Sequence, residues 1–490
     1  MTVFAKATVA QIEASLKARF ERVMGTDGRE VTAAVSLPAI PIELADTISG
    51  ISRLQPRARP RTAQSAAVPV IASGGFQYLA PQAVAQLYDA SGLGLDGTGQ
   101  TIVILGQFTV NPADLASFWS QCGLPTTLSQ YSEVDPYPDE DMNGGTGPDA
   151  AEFTHDIEWT TAMAPKANVI YITTTEADTV ANLLINRLAT DPSIQQVSVS
   201  NALAEASYLQ VGDSPGDSPY YAAMSALGIT VFAGSGDWGS NQDVVNGVFT
   251  SSYDPNGVLT PDYPASDPFV TGVGGTSVGY VADVGGGFSY PSTEGGWTLP
   301  DPPVSTAPGE PPNYGYQASG GGLSLVFARP GWQTGPSLPA GSARCVPDVS
   351  AIANSLPQPF GVYGGQVYTF GGTSMASPVW AGLCALINQA RANAHMTPLG
   401  LLGPHIYPLM GSPAFNQMLT GSQSGLIFTS TANNGAYGMG PSYNLVTGLG
   451  SPNIANLVRA LTTPEAVSAP SIYFQPTDQT AGVGLQATFT

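Results

Sequence analysis

Charge is scarce in this chain, and positive charge is scarcest. Of 490 residues only 10% are charged, 36 acidic against 15 basic, for a net charge of −21. Ordinary soluble proteins carry about 25% charged residues. Without a basic footprint nucleic acid is excluded as a partner. Few of the carboxylates can find a cationic partner, so they repel one another at neutral pH and are relieved in acid. Cysteine is scarce too. Cys122, Cys345 and Cys384 are far apart and odd in number, which excludes a disulfide framework and a cysteine metal site. No apolar run approaches the roughly 20 residues of a membrane-spanning helix, and the start lacks a signal peptide's apolar core. Histidine occurs three times, at His155, His395 and His405.

What is present is an enzyme-sized body rich in turns. Gly and Pro number 57 and 42, without a short period, and hydrophobic residues make up 43%. Short apolar runs at Thr101–Leu105, Val169–Ile172, Val197–Ser200 and Ile229–Ala233 read as buried strands. Helical patterns alternate with them at Glu152–Ala162, Thr179–Leu188, Tyr220–Leu227 and Ser374–Ala392. That alternation predicts an α/β fold with a doubly wound parallel sheet and helices on both faces. The stretch from about 240 to 365 reads as loop-rich. Ahead of the body, residues 8–24 place Ile12, Leu16, Phe20 and Val23 at helical spacing, with strand-like pieces at Val31–Leu37 and Ile48–Leu54. Gln55–Thr62 is a basic, proline-punctuated linker, expected to be exposed and cleavable. Beyond Thr463, residues Ser471–Thr490 alternate like the first strands of a β-sandwich, too few to fold alone.

The run Gly371-Gly372-Thr373-Ser374-Met375-Ala376-Ser377-Pro378 places a serine where a glycine turn enters an apolar helix. A helix N-terminus favours developing negative charge, so Ser374 is a candidate nucleophile that needs a base nearby. His395 and His405 read as surface or loop residues. His155 lies in Glu152-Phe153-Thr154-His155-Asp156-Ile157-Glu158-Trp159, where Glu152 and Asp156 are four apart and share one helix face. A solvated acidic face would be the plain reading. The flanking Phe153, Ile157, Trp159 and Met163 instead point to burial, where two carboxyls share a proton and can act as a base in acid. A third element, Ala233-Gly234-Ser235-Gly236-Asp237-Trp238-Gly239, follows a strand. Its glycine spacing fits a dinucleotide loop, but the residues that follow read as loop rather than helix. The alternative puts Asp237 at the carboxyl end of a parallel strand, where open α/β sheets carry their sites.

Together with Asp262–Val270, Val346-Pro347-Asp348-Val349 and Thr447–Pro452, these motifs resemble the sedolisins, serine-carboxyl peptidases with a subtilisin-like fold. Subtilisins carry Asn where Asp237 stands and His near Glu152. The resemblance implies Ser374 as nucleophile, Glu152 as general base and acid, Asp156 as its orienting partner and Asp237 as stabiliser of the tetrahedral oxyanion. It implies residues 1–68 as the C-terminal part of an activation propeptide with its linker, 69–463 as the peptidase domain and 464–490 as the start of an immunoglobulin-like module. It further implies a secreted zymogen that acts on protein or peptide substrates, and a monomer with its own propeptide as partner. An ionised Asp237 would repel an oxyanion, so Asp237 must be protonated while the Glu152–Asp156 pair keeps one charge. With ordinary carboxyl pKa values near ~4, both hold together only in acid unless burial raises Asp237. Two departures stand out. An outer Glu and Trp found in some sedolisins are Gly106 and Asn201 here. The family's two calcium aspartates are Gln417 and Asn444, a weakened hard-cation site, so weak or absent Ca2+ binding is expected. The rival readings are a secreted binding protein that keeps the fold without activity, and a Ser–His hydrolase using His155.

Overall fold

A computed structural model describes residues 7–24, 30–36, 39, 61–62, 68–69, 78–135, 148–173, 191–210, 216–245, 248–253, 257–282, 288–299, 317–356, 358–416, 418 and 434–463. Its centre is an eight-stranded sheet. We label β1 (Thr101–Gly106), β2 (Tyr131–Val134), α1 (Pro148–Met163), β3 (Asn168–Thr173), β4 (Ile194–Val199), β5 (Asn201–Ala204), β6 (Thr230–Gly234), β7 (Thr271–Ala282), β8 (Phe288–Gly296), β9 (Val349–Leu356) and α2 (Thr373–Asn393). The order is β8-β7-β6-β4-β1-β3-β2, with β9 pairing on β7. All neighbours run parallel except β8, which is antiparallel to β7. The fold is thus the α/β architecture with a mostly parallel sheet expected from the alternation.

Strand β1 shows why the sheet is covered on both faces. Successive side chains of a strand point to opposite faces. Ile102 and Ile104 join one apolar cluster with Phe153, Ile157 and Trp380. Val103 and Leu105 join the other, with Ile170, Ile172, Tyr221 and Met224. All six β1 residues are buried.

The sequence expectations need three corrections. The spacing over residues 8–24 is not one helix. The helix spans Val9–Leu16 and stops at Lys17, whose φ of 53° is left-handed. Phe20–Met24 then forms a strand, antiparallel to Glu30–Ala34. Apolar residues shared between a short helix and a strand mimicked a single longer period. The residues after Asp237, read as loop, form a hairpin, Asn241–Val245 with Val248–Tyr253. The supposedly loop-rich region also contributes β7 and β9 to the central sheet. Strand β7 is glycine-rich because its neighbours come close: a Cβ on Gly275 would sit 2.7 Å from the Ala353 Cβ. Those glycines erase the apolar alternation that marks a strand.

The expected helix at Thr179–Leu188, the strand at Ile48–Leu54 and the tail at 464–490 lie outside the described residues. Two short pieces are described at and just after the end of the linker. Arg61–Thr62 pairs antiparallel with β5, with Arg61 opposite Ala202 and Thr62 opposite Asn201. Val68–Pro69 pairs with the strand Gln366–Thr369, which leads into α2. The three cysteines are free, and Cys345 and Cys384 are buried. No helix among the described residues is long and apolar enough to cross a membrane.

Candidate active site

Parallel strands deliver their carboxyl ends to one edge of a sheet. Here β4 ends at Val199 and hands on to Ser200, while its neighbour β6 ends at Gly234 and hands on to Asp237. Helix α2 starts beside them. Its N-cap Gly372 has φ 106°, a turn that costs little only without a Cβ. The turn puts Thr373 and Ser374 in the first helical turn, both buried and Ser374 only 3% exposed. Pro378 sits inside α2. A proline has no N–H for the carbonyl four residues earlier, and that carbonyl belongs to Ser374.

Helix α1 packs on α2, and Thr160 Oγ1 donates to the Pro378 carbonyl at 3.2 Å. It is buried on every side from Ala150 to Met163, so it has no polar face to show water. Glu152 and Asp156 are each 2% exposed. The Ser200 hydroxyl donates to Asp156 Oδ2 at 2.6 Å and lies 3.4 Å from the carbonyl oxygen of Ser374. Burial holds the Asp156 carboxyl well above its usual range, and the Ser200 hydroxyl works against that shift.

Asp237 is fully buried. Its Oδ1 accepts from the Thr373 backbone N–H at 2.7 Å and from Thr373 Oγ1 at 2.9 Å. Its Oδ2 has no hydrogen-bond partner among the described residues. Burial pushes its pKa up to about 8, opposed by the two Thr373 bonds and assisted slightly by Asp262. The carboxyl is therefore protonated in acid. Because Oδ1 takes both donors, the proton belongs on Oδ2, where it can be given to an incoming atom. Asp262 belongs to the same buried acidic group. A Cβ on Gly236 would meet its Oδ2, and burial with Glu205 nearby raises it to about 7.

Of the four residues singled out in the sequence, Asp156 and Asp237 are joined by hydrogen bonds to the first turn of α2, where Ser374 stands. Asp156 reaches the Ser374 backbone through Ser200, and Asp237 holds the neighbouring Thr373. Glu152 lies one turn before Asp156 on the same buried helix. Sequence reasoning missed Ser200 and Glu158. Glu158 is buried and accepts from the Val362 N–H at 3.1 and 3.2 Å, which fastens α1 to the strand Phe360–Tyr363. Burial raises its pKa well above the ordinary value.

His155 belongs to the core. It stacks on Phe370 with ring centroids 3.8 Å apart, and neither ring nitrogen has a hydrogen-bond partner among the described residues. Burial lowers its pKa to about 3. It forms no Ser–His pair with Ser374. His395 is exposed, as expected, whereas His405 is half-buried on the short helix Gly403–Ile406. At Gly106 a side chain would collide with the Tyr171 hydroxyl, 2.3 Å from a Cβ, so the space an outer acid would need is filled by Tyr171. Asn201 is half-buried at the start of β5.

Asn444 is engaged within its own loop. Its Oδ1 already accepts from the N–H groups of Val446 at 3.0 Å and Thr447 at 2.8 Å, an Asx turn that occupies the oxygen a cation would need. Gln417 lies outside the described residues. Among the described residues no group of three or more His, Cys, Asp or Glu side chains could hold a metal ion.

No protein-family model matches the chain. Kumamolisin of Bacillus sp. (strain MN-32) is 29% identical over 450 residues, covering 88% of this chain and 73% of that protein. Tripeptidyl-peptidase 1 of Bos taurus is 30% identical over 261 residues, covering 49% of this chain, and the match spans only 38% of the relative. Among solved structures, Pseudomonas sedolisin, a serine-carboxyl proteinase complexed with two molecules of pseudo-iodotyrostatin, matches in fold with a TM-score of 0.61 and 23% identity. That match covers 79% of this chain and 98% of the other.

Proposed function

The chain belongs to the sedolisin family of serine-type peptidases, and from that premise we propose that it is an acid-acting endopeptidase, made as a zymogen, working through an acyl-enzyme on Ser374. In this reading Glu152 accepts the Ser374 Oγ proton as the oxygen attacks the scissile carbonyl carbon. Asp156 orients Glu152, and the pair enters the step with one negative charge, which the proton from Ser374 neutralises as charge develops on the substrate. The carbonyl oxygen becomes an oxyanion and takes a hydrogen bond from protonated Asp237 Oδ2. Glu152 then protonates the leaving amine as the C–N bond breaks. Water repeats the sequence on the acyl-enzyme and releases the second product.

The observation that carries this reading is the state of Asp237. It is a buried carboxyl with one oxygen tied to Thr373 and the other unpartnered beside the nucleophile's helix turn. A neutral acid in that position is a hydrogen-bond donor of the kind an oxyanion requires. Its pKa near 8 carries the upper end of the working range beyond that of ordinary carboxyls. The lower end belongs to the Glu152–Asp156 pair.

The domain division into 1–68, 69–463 and 464–490, secretion and a monomeric state belong to the same proposal. The linker strand Arg61–Thr62 on β5 supports the zymogen reading, because β5 begins next to Ser200. A pH–rate profile on an unstructured protein substrate tests the function. Wild type is expected to be most active in acid. Glu152→Gln cannot take up a proton and is expected to lose about 10²- to 10⁴-fold in kcat, the usual weight of a general base. A Glu152→Gln enzyme with the wild-type profile and rate would overturn the assignment.

We also propose that calcium is not a tightly held component. With Asn444 Oδ1 engaged by two backbone N–H groups, metal analysis of the purified protein is expected to find far less than one calcium per chain, and EDTA is expected to leave the Tm unchanged. Stoichiometric calcium surviving dialysis would contradict this.

A further inference from the structure

We propose that Ser200 is a positioning residue of this site, whose hydroxyl holds the Asp156 carboxyl in place, favours the charged state of the Glu152–Asp156 pair and couples that carboxyl to the backbone of the nucleophile. The inference rests on the reading of Glu152 and Asp156 as the proton-handling pair.

Ser200 is 1% exposed and stands at the end of β4, between α1 and the first turn of α2. A hydroxyl has one hydrogen to give and lone pairs to receive. The Ser200 oxygen faces two acceptors, Asp156 Oδ2 at 2.6 Å and the Ser374 carbonyl at 3.4 Å. The shorter distance marks the stronger bond, so the Ser200 hydrogen is directed to Asp156 Oδ2. When Asp156 takes up a proton it becomes a donor, and the Ser200 oxygen can receive its hydrogen. The Ser200 hydrogen is then released to turn to the Ser374 carbonyl, the one that Pro378 deprives of its helical donor. No covalent bond changes. A single rotation lets the backbone at Ser374 register whether Asp156 is charged. The motif Ser-x-x-x-Pro at 374–378 and the serine after β4 are thus two parts of one device.

The surroundings of Asp156 leave this donor with little competition. Tyr171 faces it from β3, with Glu133 of β2 behind, and Glu152 lies on its own helix. From α2 comes the turn at Ser374. His155 stacks on Phe370 and Glu158 accepts from the Val362 N–H. Burial raises the Asp156 pKa and the hydrogen bond from Ser200 lowers it.

The test is a set of pH–rate profiles of the full chain carrying Ser200→Ala or Ser200→Thr, with kcat and KM separated. Without the donor the charged form of the Glu152–Asp156 pair is less favoured, so the acid limb moves to higher pH, by about one unit for a hydrogen bond to a charged group. Ser200→Ala is expected to lower kcat about tenfold at the wild-type optimum with KM within twofold. Ser200→Thr keeps the hydroxyl and restores the limb. Ser200→Cys, a weak donor of similar volume, moves the limb the same way and serves if the alanine variant folds poorly. An unmoved limb in Ser200→Ala, or equal losses in the Ala and Thr variants, overturns the proposal. If Glu152→Gln is inactive while Ser200→Ala keeps its limb, the Ser200 inference alone fails. If Glu152→Gln is fully active, the underlying reading fails with it.

Discussion

Replacing Ser374 with alanine is expected to abolish peptide hydrolysis at every pH and to leave the 490-residue chain uncut in acid. Loss of the nucleophile in a serine hydrolase costs up to about 10⁶ in kcat, the largest effect any single change here should have. The substitution removes one oxygen from a buried position in the first turn of α2. The Gly372 turn, the Thr373 bonds to Asp237 and the carbonyl beside Ser200 are all backbone or neighbouring groups, and they remain. Folding should therefore be preserved, and a thermal melt within a few degrees of wild type is the control. The two readouts separate activity from maturation. If the variant is inert on added substrate yet its linker is cut when incubated alone, another protease or another nucleophile is responsible, and the zymogen reading fails. Residual turnover above about one part in a thousand of wild type would remove Ser374 from its role.

The parts of this site legible in the sequence were those that use local spacing. Glu152 and Asp156 announce a shared face by their four-residue separation, and Phe153, Ile157 and Trp159 announce that the face is buried. Ser374 is legible because glycines, a serine and an apolar helix follow one another without a gap. What was not legible depends on contacts between segments distant in the chain. Ser200 is one more small polar residue at the end of the run VSVS, and its partner on α1 lies 44 residues away. Strand β7 was hidden because close packing on Trp297 and Ala353 requires glycine where a strand pattern would show Val or Ile. The pairing of Phe20–Met24 with Glu30–Ala34 converted half of an expected helix into a hairpin. The sequence did place the acid at 237, but its pKa is a product of burial, and burial belongs to the assembled structure rather than to the motif.

That burial makes Asp237 the site of the second large effect. Asp237→Ala removes the Oδ2 donor and the acceptor for Thr373 together, and kcat is expected to fall about 10²- to 10³-fold with little change in KM, the usual result of losing one oxyanion donor. Asp237→Asn is the sharper experiment. Its Oδ1 can still accept from the Thr373 N–H and hydroxyl, and its amide can still donate from the position of Oδ2. The amide does not titrate. In wild type, activity is expected to fall as the pH rises through about 8, where Asp237 ionises and repels the oxyanion; in Asp237→Asn that fall should be missing. Stability follows the same group. The folded pKa, about 8, lies above the ordinary value of 3.8, so the native state holds this proton more tightly than the unfolded chain. Its contribution is complete below about pH 4 and is lost progressively as the pH rises to about 8. Asp262, at about 7, and Asp267, at about 6, act in the same direction. Melting temperature is therefore expected to decline from acid toward neutral pH, less steeply in Asp237→Asn than in wild type. A base limb near pH 8 that survives in an active Asp237→Asn enzyme would show that the group titrating there is not Asp237, and would return the oxyanion role to donors elsewhere in the turn at Thr373 and Ser374.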